Sequence, residues 1–143
     1  MRSHFERLVE ELKARIIDVG GEVRTVGQAA RRMGVSRKQI VKTLVVITKE
    51  GPVLAILDGE SRLDLSKFGP GARLATPREV KAHTGFEVGE VPPVGIPLKT
   101  YVDERVLEND KVYGGGGSTR KLVEIDPRRI VEHQKATVCK IRL

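Results

Sequence analysis

The chain has no tryptophan, a single cysteine, and only two tyrosines and three phenylalanines among its 143 residues. With aromatics confined to Phe5, Phe68, Phe86, Tyr101 and Tyr113, an extensive platform for stacking nucleic-acid bases is not expected. Cys139 has no second cysteine to pair with, so nothing points to an oxidising compartment and the cytoplasm is the expected location. No apolar run approaches the roughly 20 residues that cross a bilayer. The first twenty positions mix Arg2, Glu6, Arg7, Glu10 and Glu11 with apolar residues, which argues against both a membrane span and a signal peptide. The three histidines, His4, His83 and His133, lie in separate segments without metal-ligand spacing, and CxxC, HExxH and Gly-x-Ser-x-Gly are all missing. A metal centre and a serine triad are therefore not expected, and no cofactor is called for.

What is present suits one folded unit spanning residues 1–143. Hydrophobic residues make up 39% and charged residues 31%, enough to bury a core without a second domain. The balance is basic, 26 Lys and Arg against 19 Asp and Glu for a net charge of +7. From Arg24 to Lys49 there are seven basic residues and no acidic one. Arg31, Arg32, Arg37 and Lys38 sit in that stretch and are candidates for an electropositive face toward a polyanion.

Helices and strands alternate along the chain. Ser3 and Glu6 form a capping box, and apolar positions from Phe5 to Val19 recur at helical spacing, predicting a helix over 3–19. Thr25 with Gln28 repeats the box and Gly34 closes the helix it opens. Ile40–Thr48 and Val53–Leu57 are rich in β-branched and apolar residues around a turn at 49–52, which predicts paired strands. Thr76-Pro77-Arg78-Glu79 opens a further helix that Gly85 ends. Residues 87–97 carry three prolines and two glycines and read as a stiff loop. Short strands are predicted at 72–75, 98–102, 111–113, 121–125 and 137–141, with helical turns over 61–68 and 103–107 and a helix at 127–133. The fold class is α+β, a curved mixed sheet or open barrel with flanking short helices.

Three segments carry candidate chemistry. Residues 26–41 resemble a helix-turn-helix, but the second helix would run into the β-branched stretch 42–48, so sequence-specific DNA binding is set aside. Gly114–Gly117 before Ser118 lacks the lysine of a P-loop; it offers backbone that can approach a ligand and present N–H groups to an oxyanion. Lys42 opens an apolar strand, where an ammonium is rare unless it is paired or meets an anionic ligand.

Together these features resemble the YbaK and prolyl-tRNA synthetase-associated editing domains, a family of aminoacyl-tRNA deacylases. The resemblance covers residues 22–133. It rests on Ala29-Ala30 and Gly34-Val35 leading to Ile40-Val41-Lys42-Thr43-Leu44, then Asp58-Gly59, Leu63-Asp64-Leu65, Ala75-Thr76-Pro77, Thr84-Gly85-Phe86, Val88-Gly89-Glu90-Val91-Pro92-Pro93-Val94-Gly95, Val102-Asp103-Glu104, and Tyr113 before the glycine run. It implies a pocket where Lys42 meets the terminal adenosine or its phosphate. It further implies that Gly89, Pro92, Pro93 and Gly95 bound the aminoacyl site, and that Gly115, Gly116 and Gly117, with Ser118 beside them, lie along the ester carbonyl.

Where the branch acting on cysteinyl-tRNA carries a serine before two glycines and a later aspartate, this chain has Gly115 and Leu122. That departure favours a small side chain such as alanine over cysteine. An aminoacyl ester is already activated, so a site without a protein nucleophile can hydrolyse it by positioning the carbonyl for water, assisted by a ribose hydroxyl or the substrate itself and without metal. The expected partners are charged tRNA and a synthetase. The alternative is a module of the same fold that holds the acceptor end without hydrolysing it.

Overall fold

The computed structural model describes residues 3–143. Its helices are α1 (His4–Glu11), α2 (Val26–Met33), α3 (Pro77–Thr84) and α4 (Pro127–Gln134). Its strands are β1 (Arg15–Asp18), β2 (Val41–Thr48), β3 (Gly51–Asp58), β4 (Arg73–Leu74), β5 (Thr100–Asp103), β6 (Val112–Ser118), β7 (Lys121–Ile125) and β8 (Thr137–Cys139). The strands form an antiparallel sheet ordered β1-β7-β6 and a mixed sheet ordered β4-β2-β3-β5-β8. An isolated bridge from Ile40 to Tyr113 joins the two. The α+β class holds, as two linked sheets; among the described residues no barrel closes.

The local capping signals act where the sequence places them. Ser3, Thr25 and Thr76 each accept the backbone N–H three residues on, and Glu6, Gln28 and Glu79 return the bond. Gly34 and Gly85 end α2 and α3 in the left-handed conformation that an L side chain resists.

The expected helix over 3–19 is corrected. α1 stops at Glu11, Lys13 takes φ 57°, and residues 15–18 turn into β1, paired with β7 from Arg15↔Glu124 to Asp18↔Lys121. Ile16 and Ile17 are β-branched, and ladder bonds to a strand over a hundred residues away outweigh a helical periodicity that only local sequence supports. The glycines 114–117, which follow the strand expected at 111–113, are themselves strand residues of β6. The register steps from Gly115↔Leu122 to Ser118↔Lys121, so Gly116 and Gly117 form a bulge beside the hairpin end.

Four apolar clusters hold these layers. Val41, Ile56, Val102, Val106, Ile125 and Ile130 bury the face between β3, β5 and α4, and Phe5 and Leu8 of α1, with Leu12 just past its end, close it. Val45, Leu54, Val80, Val91 and Ile96 bind α3 and the proline-rich loop to the inner face of β2 and β3. That arrangement leaves a gap between β2, the β6–β7 hairpin, α2 and the loop.

Candidate functional site

The gap is a cleft of about 320 Å³. Its walls are mostly aliphatic, with Val26 and Ala29 from α2, Val41 and Val45 from β2, Val80 from α3 and Leu122 from β7. Such a volume and character suit a small organic group held by few polar contacts. Thr25 and Val26 put the N-terminal end of α2 at the border, an end whose backbone dipoles favour negative charge.

Lys42, Gly89, Gly115 and Ser118 all line this cleft, so four of the expected residues converge from β2, the loop and β6. Lys42 is half-buried, and its ammonium does not point to bulk water: it donates to the Ser61 carbonyl. The turn after β3 holds that carbonyl, since the Ser61 hydroxyl donates to the fully buried Asp58 at 2.5 Å. Burial pushes the Lys42 ammonium below the ordinary lysine range, the Asp58 carboxylate pulls it partly back, and the Arg62 guanidinium adds to the fall. Ser61 occupies one of the three N–H groups, at the turn after β3 and outside the residues that line the cleft.

Gly89 sits at φ 84° in a turn closed by the Glu90 N–H on the Glu87 carbonyl at 3.0 Å, where a type II turn requires positive φ. Gly115 is needed for close approach. A Cβ there would stand 2.5 Å from the Val91 carbonyl oxygen and 2.8 Å from the Glu90 carbonyl carbon. The glycine strand thus packs directly on the loop backbone, and the Gly117 N–H donates to the Glu90 carbonyl at 3.1 Å.

The other expected residues lie outside the cleft lining. Pro92 and Pro93 are buried behind it, with the Pro93 ring against Gly114, so they support the wall from the back. Gly116 abuts the backbone of Lys121, and Gly117 abuts the Phe86 ring. Gly95 lies beside Leu8 at a separate, more open groove that also takes in His4 and His133. Among the described residues no three His, Cys, Asp or Glu side chains gather as a metal would need.

The basic candidates divide. Lys38 is paired with Glu108, and Arg32 donates to the Val19 carbonyl at 2.7 Å. Arg31 and Arg37 are exposed, converge beside Gly27, and have no carboxylate within ion-pair distance among the described residues. The helix-turn-helix is absent: after α2 comes one helical turn over Arg37–Gln39, then β2. No helix among the described residues is long and apolar enough to cross a membrane.

Sequence reasoning missed four polar residues of the cleft: Arg24, Thr25, Thr43 and Lys121. Thr43 Oγ1 is the one buried side-chain polar atom among the described residues that lacks a hydrogen-bond partner. A threonine between Val41 and Val45, in a stripe where valine would pack as well, was the available signal. Lys121 was legible only through its register opposite Ser118.

Comparison with known proteins agrees with this architecture. The family model for the aminoacyl-tRNA editing domain matches residues 21–132. YwhH of Bacillus subtilis is 31% identical over 140 residues, covering 92% of this chain and 87% of that protein. A proline–tRNA ligase of Solidesulfovibrio magneticus is 36% identical over 109 residues, 71% of this chain; the match spans only 19% of the ligase. A crystal structure described as a candidate trans-editing enzyme for prolyl-tRNA synthetase superposes with a TM-score of 0.88 at 33% identity, covering 100% of this chain and 99% of the other. The chain belongs to the aminoacyl-tRNA editing domain family, whose members hydrolyse the ester of a mischarged tRNA.

Proposed function

We propose that this chain acts in trans, in the cytoplasm, as a deacylase of tRNA carrying a small wrong amino acid, alanine in preference to cysteine. The carrying observation is the convergence of Lys42, Gly89, Gly115 and Ser118 on one aliphatic cleft. A short side chain fits against Val41, Val45 and Leu122, which offer shape but no charge. One missing methylene is worth only about 1–3 kcal/mol, so rejection of larger side chains depends on the rigidity of the wall.

The reaction asks little of the protein. Lys42 and nearby backbone N–H groups of the loop and glycine strand would polarise the ester carbonyl and hold the terminal phosphate. Water, deprotonated with help from the vicinal ribose hydroxyl, would attack the carbonyl carbon, and the 3′ oxygen would leave with that proton. Lys42 orients and neutralises, and forms no covalent bond. Gly116 and Gly117 hold the hairpin in place, Pro92 and Pro93 support the wall, and Gly95 acts at a distance from the ester. Arg24 and Lys121 at the rim, with Arg31 and Arg37 further out, would follow the acceptor-strand phosphates; Arg32 and Lys38 contribute field more than contact.

Incubation with a panel of mischarged tRNAs, following free amino acid, tests the proposal. Release of alanine from alanyl-tRNA above the buffer rate is expected. Tight binding of the tRNA with no release would favour the non-catalytic module instead.

A further inference from the structure

The family match begins at residue 21, yet α1 lies against the cleft's outer wall from outside that region. Phe5 meets Phe86 edge to face, with ring centroids 6.1 Å apart. One turn later Leu8 reaches Gly95, where a Cβ would stand 2.9 Å from Leu8 Cδ2. Between these anchors Val94 is fully buried in the cluster that Phe5, Leu8 and Leu12 cover. The segment 86–96 is therefore held near both ends, at Phe86 and at Val94–Gly95, by one helix.

The same segment is held from the inside. Phe86 touches α1 on one side and Gly117 on the other, 3.3 Å from where a Cβ would stand. The Phe86 N–H is fixed on Thr84 Oγ1 at 3.1 Å. Val91 meets Gly115 by its carbonyl, and Gly89 and Val91 line the cleft. A wall pressed between a helix and a glycine strand can move only if one of the two gives.

The geometry points to α1 as a positioning element: Phe5 and Leu8, through Phe86, Val94 and Gly95, set how far the segment 86–96 stands from β6, and so which aminoacyl side chains the cleft admits. Phe5 touches no substrate. Its effect falls on discrimination more than on the chemical step, because Lys42 and the glycine strand stand on β2 and β6, while the distance from the segment to β6 sets the width of the cleft. Only the kinetic arm of the test rests on the function proposed above.

Phe5→Ala and the conservative Phe5→Tyr in the full chain decide it. In Phe5→Ala the backbone amides of 86–96 should exchange about two- to tenfold faster, the factor set by losing one aromatic pair, while those of β2 and β3 keep their protection. The ratio of kcat/KM for alanyl-tRNA to that for prolyl-tRNA should fall by a similar factor, chiefly through KM, and Phe5→Tyr should restore both. The inference is overturned if Phe5→Ala folds with unchanged exchange over 86–96, if exchange rises uniformly along the chain, or if both charged tRNAs slow equally. Should the wild-type chain release neither amino acid, the functional reading fails, while the exchange result still decides the role of α1.

Discussion

Replacing Gly115 with alanine adds one methyl group at the tightest point of the cleft wall. Its Cβ would begin 2.5 Å from the Val91 oxygen, and ordinary contact begins at 3.4 Å, so strand and loop must separate by about 0.9 Å. Neither can yield by a side-chain rotation, because the atoms met at 2.5, 2.8 and 2.9 Å all belong to the Glu90–Val91 backbone. Overpacking of this kind costs about 1–3 kcal/mol. The reduced freedom of the unfolded chain returns about 0.4–1 kcal/mol. The net loss, about 1–2 kcal/mol, lowers the midpoint of thermal unfolding by roughly 3–8 °C for a chain of this size. Gly114→Ala should be milder, since its Cβ meets the Val41 side chain at 3.0 Å and the Pro93 ring at 3.2 Å. Gly34→Ala, with φ 69° and nothing within 4 Å, should cost backbone strain alone and leave deacylation untouched. Thermal melts of the three variants, with alanine release measured alongside, check the order. A Gly115→Ala protein that melts and turns over like the wild type would refute the packing argument.

Lys42→Ala should lower kcat/KM for deacylation by about 10²-fold, the scale of one lost electrostatic contact in a sheltered site; a variant as fast as wild type removes Lys42 from the chemistry. Thr43→Val should raise stability by about 1 kcal/mol, because it deletes a buried hydroxyl without a partner, and should slow turnover if that hydroxyl serves the ligand; a lower melting midpoint would show that the hydroxyl is already satisfied. Glu79 is held at about 2, against an ordinary 4.5, first by the Arg73 side chain and then by the Thr76 N–H. Since its folded pKa is depressed, the stability it contributes is complete above about 4.5 and is lost as pH falls through about 2. Carboxyl NMR should place its midpoint there, and a midpoint near 4.5 would break the assignment.

The features legible in the sequence are those whose causes are local. Thr25 with Gln28 and Thr76 with Glu79 close their boxes within three residues, and β2 and β3 follow from β-branched content around a turn at Lys49 and Glu50. Features set by distant partners were misread. Ile16 continues the helical spacing of α1 yet lies in β1 because Val123 offers it a ladder position. The strand expected at 111–113 stops short of the glycine run, which continues it only because the Glu90 and Val91 backbone packs on Gly115. Lys38 looks like a free cation until Glu108, seventy residues on, neutralises it. Lys42 and Gly89 could be placed in a site by resemblance, but the orphan hydroxyl of Thr43 is visible only once the strands are assembled.

Alanine release from alanyl-tRNA, measured as an initial rate against protein concentration, tests the central claim most directly. The account predicts a rate that rises linearly with the protein, falls sharply in Lys42→Ala, and is far slower for prolyl-tRNA. Release at the spontaneous rate at every protein concentration, for every charged tRNA tried, would contradict it.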